Sequence, residues 1–169
     1  MWVWPVAFAS AFVLGTLVEY WGHRWMHVWL KRARHIEHHQ SGGGQGFCRE
    51  FWGYARGAWL MFPLGLLHSP AAGVAFASGS LCYCAFAAYA HELQHQYPEC
   101  CFWLSQPVHH LHHVGKLWHH NFGITCDVWD RVFGTYRRVA WQSPTPPDWR
   151  NLLRIHWLAR VPGSRQPSR

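Results

Sequence analysis

Residues 71–90 read AAGVAFASGSLCYCAFAAYA, twenty positions without one charged side chain. Twenty helical residues rise about 30 Å, the thickness of a bilayer's hydrocarbon core. Such a run restricts a chain severely. In lipid every backbone N–H and C=O must be satisfied within the segment itself or within a closed barrel, so a single run of this length reads as a spanning helix. At 169 residues, half of them apolar and 14% charged, the chain has room for one domain built around such helices.

Two further runs fit the same reading. Residues 2–21 are apolar apart from Glu19. They lack the basic start of a signal peptide, and Tyr20-Trp21 is a poor cleavage site. Trp2, Trp4, Tyr20, Trp21 and Trp25 fall near the two ends, where interfacial aromatics are expected. Residues 51–67 are interrupted by Arg56 and Pro63, and they span only if Arg56 snorkels to one interface. His68-Ser69-Pro70 makes the turn of a helical hairpin between that run and 71–90.

The fold class is therefore all-α, an integral membrane helical bundle. Arg24, Lys31, Arg32, Arg34 and Arg49 flank the first two spans and mark the cytoplasmic side. The 68–70 turn then lies outside and the third span returns near His91, so all dense histidine regions share the cytoplasmic face. The formal charge of +7 forms no single stripe. It suits anionic lipid head groups and argues against nucleic acid. The six cysteines form no CxxC pair and read as buried free thiols in a reducing compartment. The expected organisation is a membrane-embedded domain over 1–141 and a tail over 142–169. The tail comprises a proline-rich linker at 143–147, an amphipathic interfacial helix over 148–160 and a disordered end.

The chain carries 15 histidines, six of them between 109 and 120. HRWMH supplies His23 and His27, HIEHH supplies His35, His38 and His39, and HELQH supplies His91 and His95. HHLHH supplies His109, His112 and His113 around His110. On a helix, residues three and four apart share a face, so each motif aims two rings at one point. Ten rings packed together would lose solvation with nothing gained unless a metal takes their neutral nitrogens. A pair of divalent ions uses ten nitrogens naturally, whereas one ion does not. HELQH alone also matches the zinc-protease HExxH pattern, but a protease leaves eight clustered histidines unexplained. Glu19, four residues before His23, is positioned to orient that ring. Glu92, Asn121, Asp127 and Asp130 are further candidates to support ligands.

The order HxxxH, HxxHH, HxxxH, HxxHH, followed by HHNFGITCDVWDRVFGTY, resembles the fatty acid hydroxylase/sterol desaturase superfamily over roughly residues 15–138. The resemblance implies three to four spans beneath a cytoplasmic, histidine-rich di-metal helical cap. It implies that His23, His27, His35, His38, His39, His91, His95, His109, His112 and His113 are the metal ligands, with His110, His119 or His120 able to supplement one of them. No catalytic residue separate from the metal centre is expected. An unactivated C–H bond requires oxygen activation by a redox metal, so the expected cofactors are two iron ions, with zinc able to occupy the site in an isolated preparation. The expected activity is hydroxylation or desaturation of a lipid such as a fatty acyl chain, sterol or carotenoid. It would use O2 and electrons from a ferredoxin, cytochrome or reductase. Phe, Trp and Leu side chains of 51–67 and 71–90 are expected to form the lipid slot. The competing reading is a non-catalytic membrane metal-binding or transport protein. A transporter needs ionisable residues inside its spans, and 71–90 has none.

Overall fold

The structure is a computed structural model that describes residues 2–30, 33–60, 62–143 and 145–158. All regular elements among them are helical. Helix α1 spans Val3–Trp25 and continues into a π-helical turn at Met26–Leu30. Then come α2 (Ala33–Ser41), α3 (Phe47–Ala58), α4 (Phe62–Leu66) and α5 (Pro70–Gln96). Two short helices, α6 (Val108–Val114) and α7 (Val128–Val132), and 3-10 turns at Pro98–Cys100 and Trp149–Leu153 complete the chain.

Among the described residues, two helices, Val3–Trp29 and Pro70–Gln96, are long and apolar enough to cross a membrane. The sequence led us to expect three or four. Residues 51–67 do not form a third continuous helix of that length, because the helix stops at a turn over Trp59 and Leu60 and resumes as the five-residue α4. The twelve residues of α3 rise only about 18 Å, short of the hydrocarbon thickness. The uncharged run behaves as expected. Ser69 caps α5 by accepting the Ala72 N–H at 3.2 Å, and Pro70 occupies the first turn, where its missing N–H costs nothing.

Helices α1 and α5 pack side by side and run in the same direction. A methyl group at Gly79 would strike the Phe8 carbonyl, and one at Gly15 would strike the Tyr83 ring. Glycine at these two places is what lets the helices approach. Helix α3 runs back against α5, with Glu50 near His91. The ends of α1 and α5 that carry His23 and His91 thus lie together. Trp2, Trp4, Trp21 and Trp25 are exposed near the ends of α1, as interfacial aromatics should be. Tyr20 is not: it is fully buried and hydrogen-bonds Thr135 Oγ1 at 2.9 Å.

The tail also departs from expectation. In place of an amphipathic helix over 148–160 there is a 3-10 turn at Trp149–Leu153, and the segment after it is docked rather than free. Ile155 is buried with Leu93, Cys100 and Cys101. The backbone carbonyls of His156 and Trp157 accept the Phe47 and Cys48 N–H groups at 2.7 and 3.1 Å. These are among the N–H groups that the start of α3 leaves without an intrahelical partner. The residues expected to be disordered, at the C-terminal end, lie outside the described residues. Of the six cysteines, none is disulfide-bonded, and Cys48 and Cys82 are exposed rather than buried.

Candidate metal centre

Helix α1 delivers His23, and the π turn that follows delivers His27, with Nε2 of the two rings 3.2 Å apart. A π turn inserts an extra residue per turn, a device that recurs at functional sites because it re-aims a side chain. His35 and His39, four apart on α2, lie 3.2 Å apart through Nε2, and His35 reaches His27 at 2.7 Å. One ring nitrogen from each of His23, His27, His35 and His39 falls within 4.8 Å of the others. His112 of α6 joins them, its Nε2 3.0 Å from that of His27.

The second group gathers beside the first. His38, His95, His109 and His113 offer nitrogens within 4.8 Å of one another. His91 closes on His38 with Nε2 atoms 3.2 Å apart, and His109 on His95 at 3.2 Å. The rings of His39 and His113 stack at 3.8 Å between centroids and link the two groups. The HxxHH motif is thereby explained. On α2, residues 35 and 39 serve one group and 38 the other, while on α6 residue 112 serves the first and residues 109 and 113 the second.

The arrangement fits metal ions. Nε2 atoms face Nε2 atoms, and each such pair of neutral rings has at most one proton to share. Both ring nitrogens of His113 are buried without a hydrogen-bond partner. Burial, reinforced by neighbouring imidazoles, pushes His35, His38, His39 and His112 down to about 3, 4, 2 and 4. His109 and His113 are driven well below the usual value by the same causes. Neutral, convergent imidazoles with their lone pairs available are what zinc, copper, iron or nickel requires.

Two rings have their tautomers fixed. Nδ1 of His23 lies 2.7 Å from the Phe122 carbonyl, and Nδ1 of His112 lies 2.7 Å from the His120 carbonyl. A carbonyl only accepts, so each Nδ1 carries the proton and each Nε2 is left with a lone pair facing the group.

Asp130 holds the segment that supplies the first of these carbonyls. It accepts Phe122 N–H at 2.9 Å, Gly123 N–H at 2.7 Å and the Thr135 hydroxyl at 2.7 Å. Asn121 adopts a left-handed backbone (φ 58°) and pairs with both the N–H and the C=O of Arg137, at 2.8 and 2.9 Å. Trp129 donates to Thr16 at 2.8 Å and Phe133 stacks on Tyr20, fastening this segment to α1. Glu19, expected to orient His23, instead accepts the Tyr83 hydroxyl and the N–H groups of Ile124 and Thr125, at 2.5, 2.8 and 3.2 Å. It therefore acts on the same segment and not on the ring. Glu92 holds the glycine-rich break through Gly46 N–H at 2.7 Å and also accepts from Gln96. Asp127 pairs with Arg131 on the surface. His110 turns toward Trp141, His119 is exposed, and His120 contributes its carbonyl, so none of the three joins either group.

Sequence reasoning missed Glu50. It follows Arg49 in the first turn of α3 and reads as a solvated charge, yet its side chain is only 12% exposed and lies against His91. Burial, then the charge of Glu92, raises its carboxyl to about 8.

A cavity of about 960 Å³ opens between α1, α3 and α5 and ends on His23, His35, His38, His91 and His109, members of both groups. Its walls differ from the expected Phe, Trp and Leu lining. Among the described residues of 51–67 and 71–90, Trp52 is the single such residue there; small residues such as Ala11, Gly15, Gly22, Gly53 and Gly57 line much of the rest, with Glu19, Arg49, Glu50 and Arg56 as its charged members. At Gly22, Gly53 and Gly57 a side chain would meet open space. From Ala11 to His23 the slot runs about 18 Å along α1.

A family model described as fatty acid hydroxylase matches residues 8–135. Neither the comparison with curated proteins nor that with solved structures gave a match.

Proposed function

Because the chain belongs to the fatty acid hydroxylase family, we propose that it is a membrane oxygenase that hydroxylates or desaturates a lipid at two iron ions, one in each histidine group. One observation carries this reading: a single slot, walled by the two helices long enough to cross a membrane, ends on histidines of both groups. A lipid tail lying between α1, α3 and α5 would present one of its carbons to the metal pair.

When bound, redox-active ions would supply the oxygen activation that an unactivated C–H bond needs. The protein's part is placement. The slot aligns the chain and excludes water, and its small-residue faces leave width for a methylene chain or a flat ring system. The Nδ1 protons of His23 and His112, held by backbone carbonyls, keep Nε2 available for the ions. Electrons would come from a separate ferredoxin, cytochrome or reductase. Arg24, Lys31, Arg32, Arg34 and Arg49, which lie next to the first two histidine motifs in the sequence, support a cytoplasmic metal site.

Metal analysis of the purified protein, followed by comparison of lipid extracts from cells expressing wild type or His112→Ala, tests the reading. Two ions per chain and an oxygen-dependent lipid product absent from the variant are expected. Identical lipid profiles would overturn it.

A further inference from the structure

We propose that Glu50 is a positioning residue for His91, the group that fixes this ring's tautomer in the second histidine group and makes the two halves of the centre unequal. The inference rests on the metal-centre reading above. Two atoms carry it. Nδ1 of His91 and Oε1 of Glu50 are both buried, neither has a hydrogen-bond partner, and they face each other at 3.4 Å. A ring that gives its Nε2 lone pair to a metal carries its proton on Nδ1, and a buried Nδ1–H requires an acceptor. Glu50 Oε1 is positioned to be that acceptor, and catalytic hydrogen bonds that are long without ligand tighten when the ligand binds.

Glu50 is not an idle surface charge that happens to lie nearby. Its helix start is held from three sides. Gly46 N–H donates to Glu92 at 2.7 Å, and the N–H groups of Arg49 and Glu50 return to the Gly46 carbonyl at 3.1 Å each. Phe47 and Cys48 N–H groups are taken by the carbonyls of His156 and Trp157. The C-terminal segment and the glycine-rich break together set the register of α3, and that register puts residue 50 opposite residue 91.

The two groups differ accordingly. In the first, the Nδ1 partners of His23 and His112 are neutral carbonyls. In the second, His91 faces the Glu50 carboxyl group, which a cation bound at the ring's Nε2 would hold in its ionised form. A carboxylate raises the basicity of a ligating imidazole more than a carbonyl does, so the ion served by His91 should depend on Glu50 and its neighbour should not.

The test uses detergent-solubilised full-length protein loaded with cobalt(II), with a competing chelator titrated in and the visible cobalt bands recorded. Wild type should hold two ions. Glu50→Gln should weaken one of them by about 10- to 100-fold and alter the bands of that ion alone. Glu50→Asp should restore part of the loss, with helix content by circular dichroism unchanged in both variants. A Glu50→Gln protein that titrates like wild type, or that loses both ions in parallel, would overturn the assignment. Wild-type protein that takes up no cobalt would overturn the metal-centre reading first and this inference with it.

Discussion

The two histidine groups are made of the same chemical parts but are held in different ways. The first is held by a stretch contiguous in sequence, in which Asp130 gathers the N–H groups of Phe122 and Gly123 so that the Phe122 carbonyl fixes His23. The second is braced by pieces far apart in the chain: Glu50 on α3, the glycine-rich break at Gly46, and the tail carbonyls of His156 and Trp157. The contrast shows that a short motif can complete one half of such a centre, whereas the other half depends on long-range docking. It also predicts that damage to each support should register in one half first.

The largest effects should come from the ligands themselves. His112→Ala should deplete the first group and His113→Ala the second, each lowering lipid product by at least about 100-fold, checked by metal content together with lipid analysis. Equal depletion of both ions by either variant would erase the distinction between the groups. Asp130→Ala should be next. It orphans two buried N–H groups, each worth about 1–3 kcal/mol, and so should lower the thermal midpoint while releasing the first ion before the second. Asp130→Asn, which keeps an acceptor, should lose less.

Acid should act on both halves. His35, His38, His39 and His112 are held below their ordinary value of 6.5 by burial. The folded chain therefore binds fewer protons than the unfolded one. Stability is intact above pH 6.5 and is lost as pH falls from there through about 4, the folded value for His38 and His112, and on to about 3 and 2, those for His35 and His39. Protons also compete with metal for the same nitrogens, so ion retention after dialysis should fall over that window. Retention unchanged at pH 4 would contradict the neutral, convergent arrangement. A smaller effect is expected in the slot. Gly57→Leu adds a side chain where space is open, so product from long or bulky lipids should fall roughly tenfold relative to shorter ones, with metal content unchanged. Smallest of all, His110→Ala and His119→Ala should change product by less than about twofold, since neither ring belongs to a group.

Much of the site could be read in the linear chain because helix geometry is local. HxxxH and HxxHH place rings on one face whatever the rest of the fold does, and the ten histidines singled out by spacing are the ten that gather in the structure. Two of the long apolar runs gave helices long and apolar enough to cross a membrane for the same reason. What failed was anything set by a partner remote in sequence. Residues 51–67 have the composition of a span but break at Trp59 and Leu60. Glu19 sits on the face of His23 yet is claimed by Tyr83, Ile124 and Thr125. The expected greasy slot is walled largely by small residues, since the gap between α1 and α3 appears only once both pack against α5.

By itself, then, the sequence determined that this protein is helical, that it carries long uncharged segments and that its histidines come in metal-spaced sets, because periodicity and hydrophobicity act over a few residues. Tertiary structure decided which ring joins which group, what braces each one and where the slot opens. Those choices turn on contacts between residues such as Glu50 and His91 or Phe47 and His156, separated by tens of positions, which no local pattern encodes.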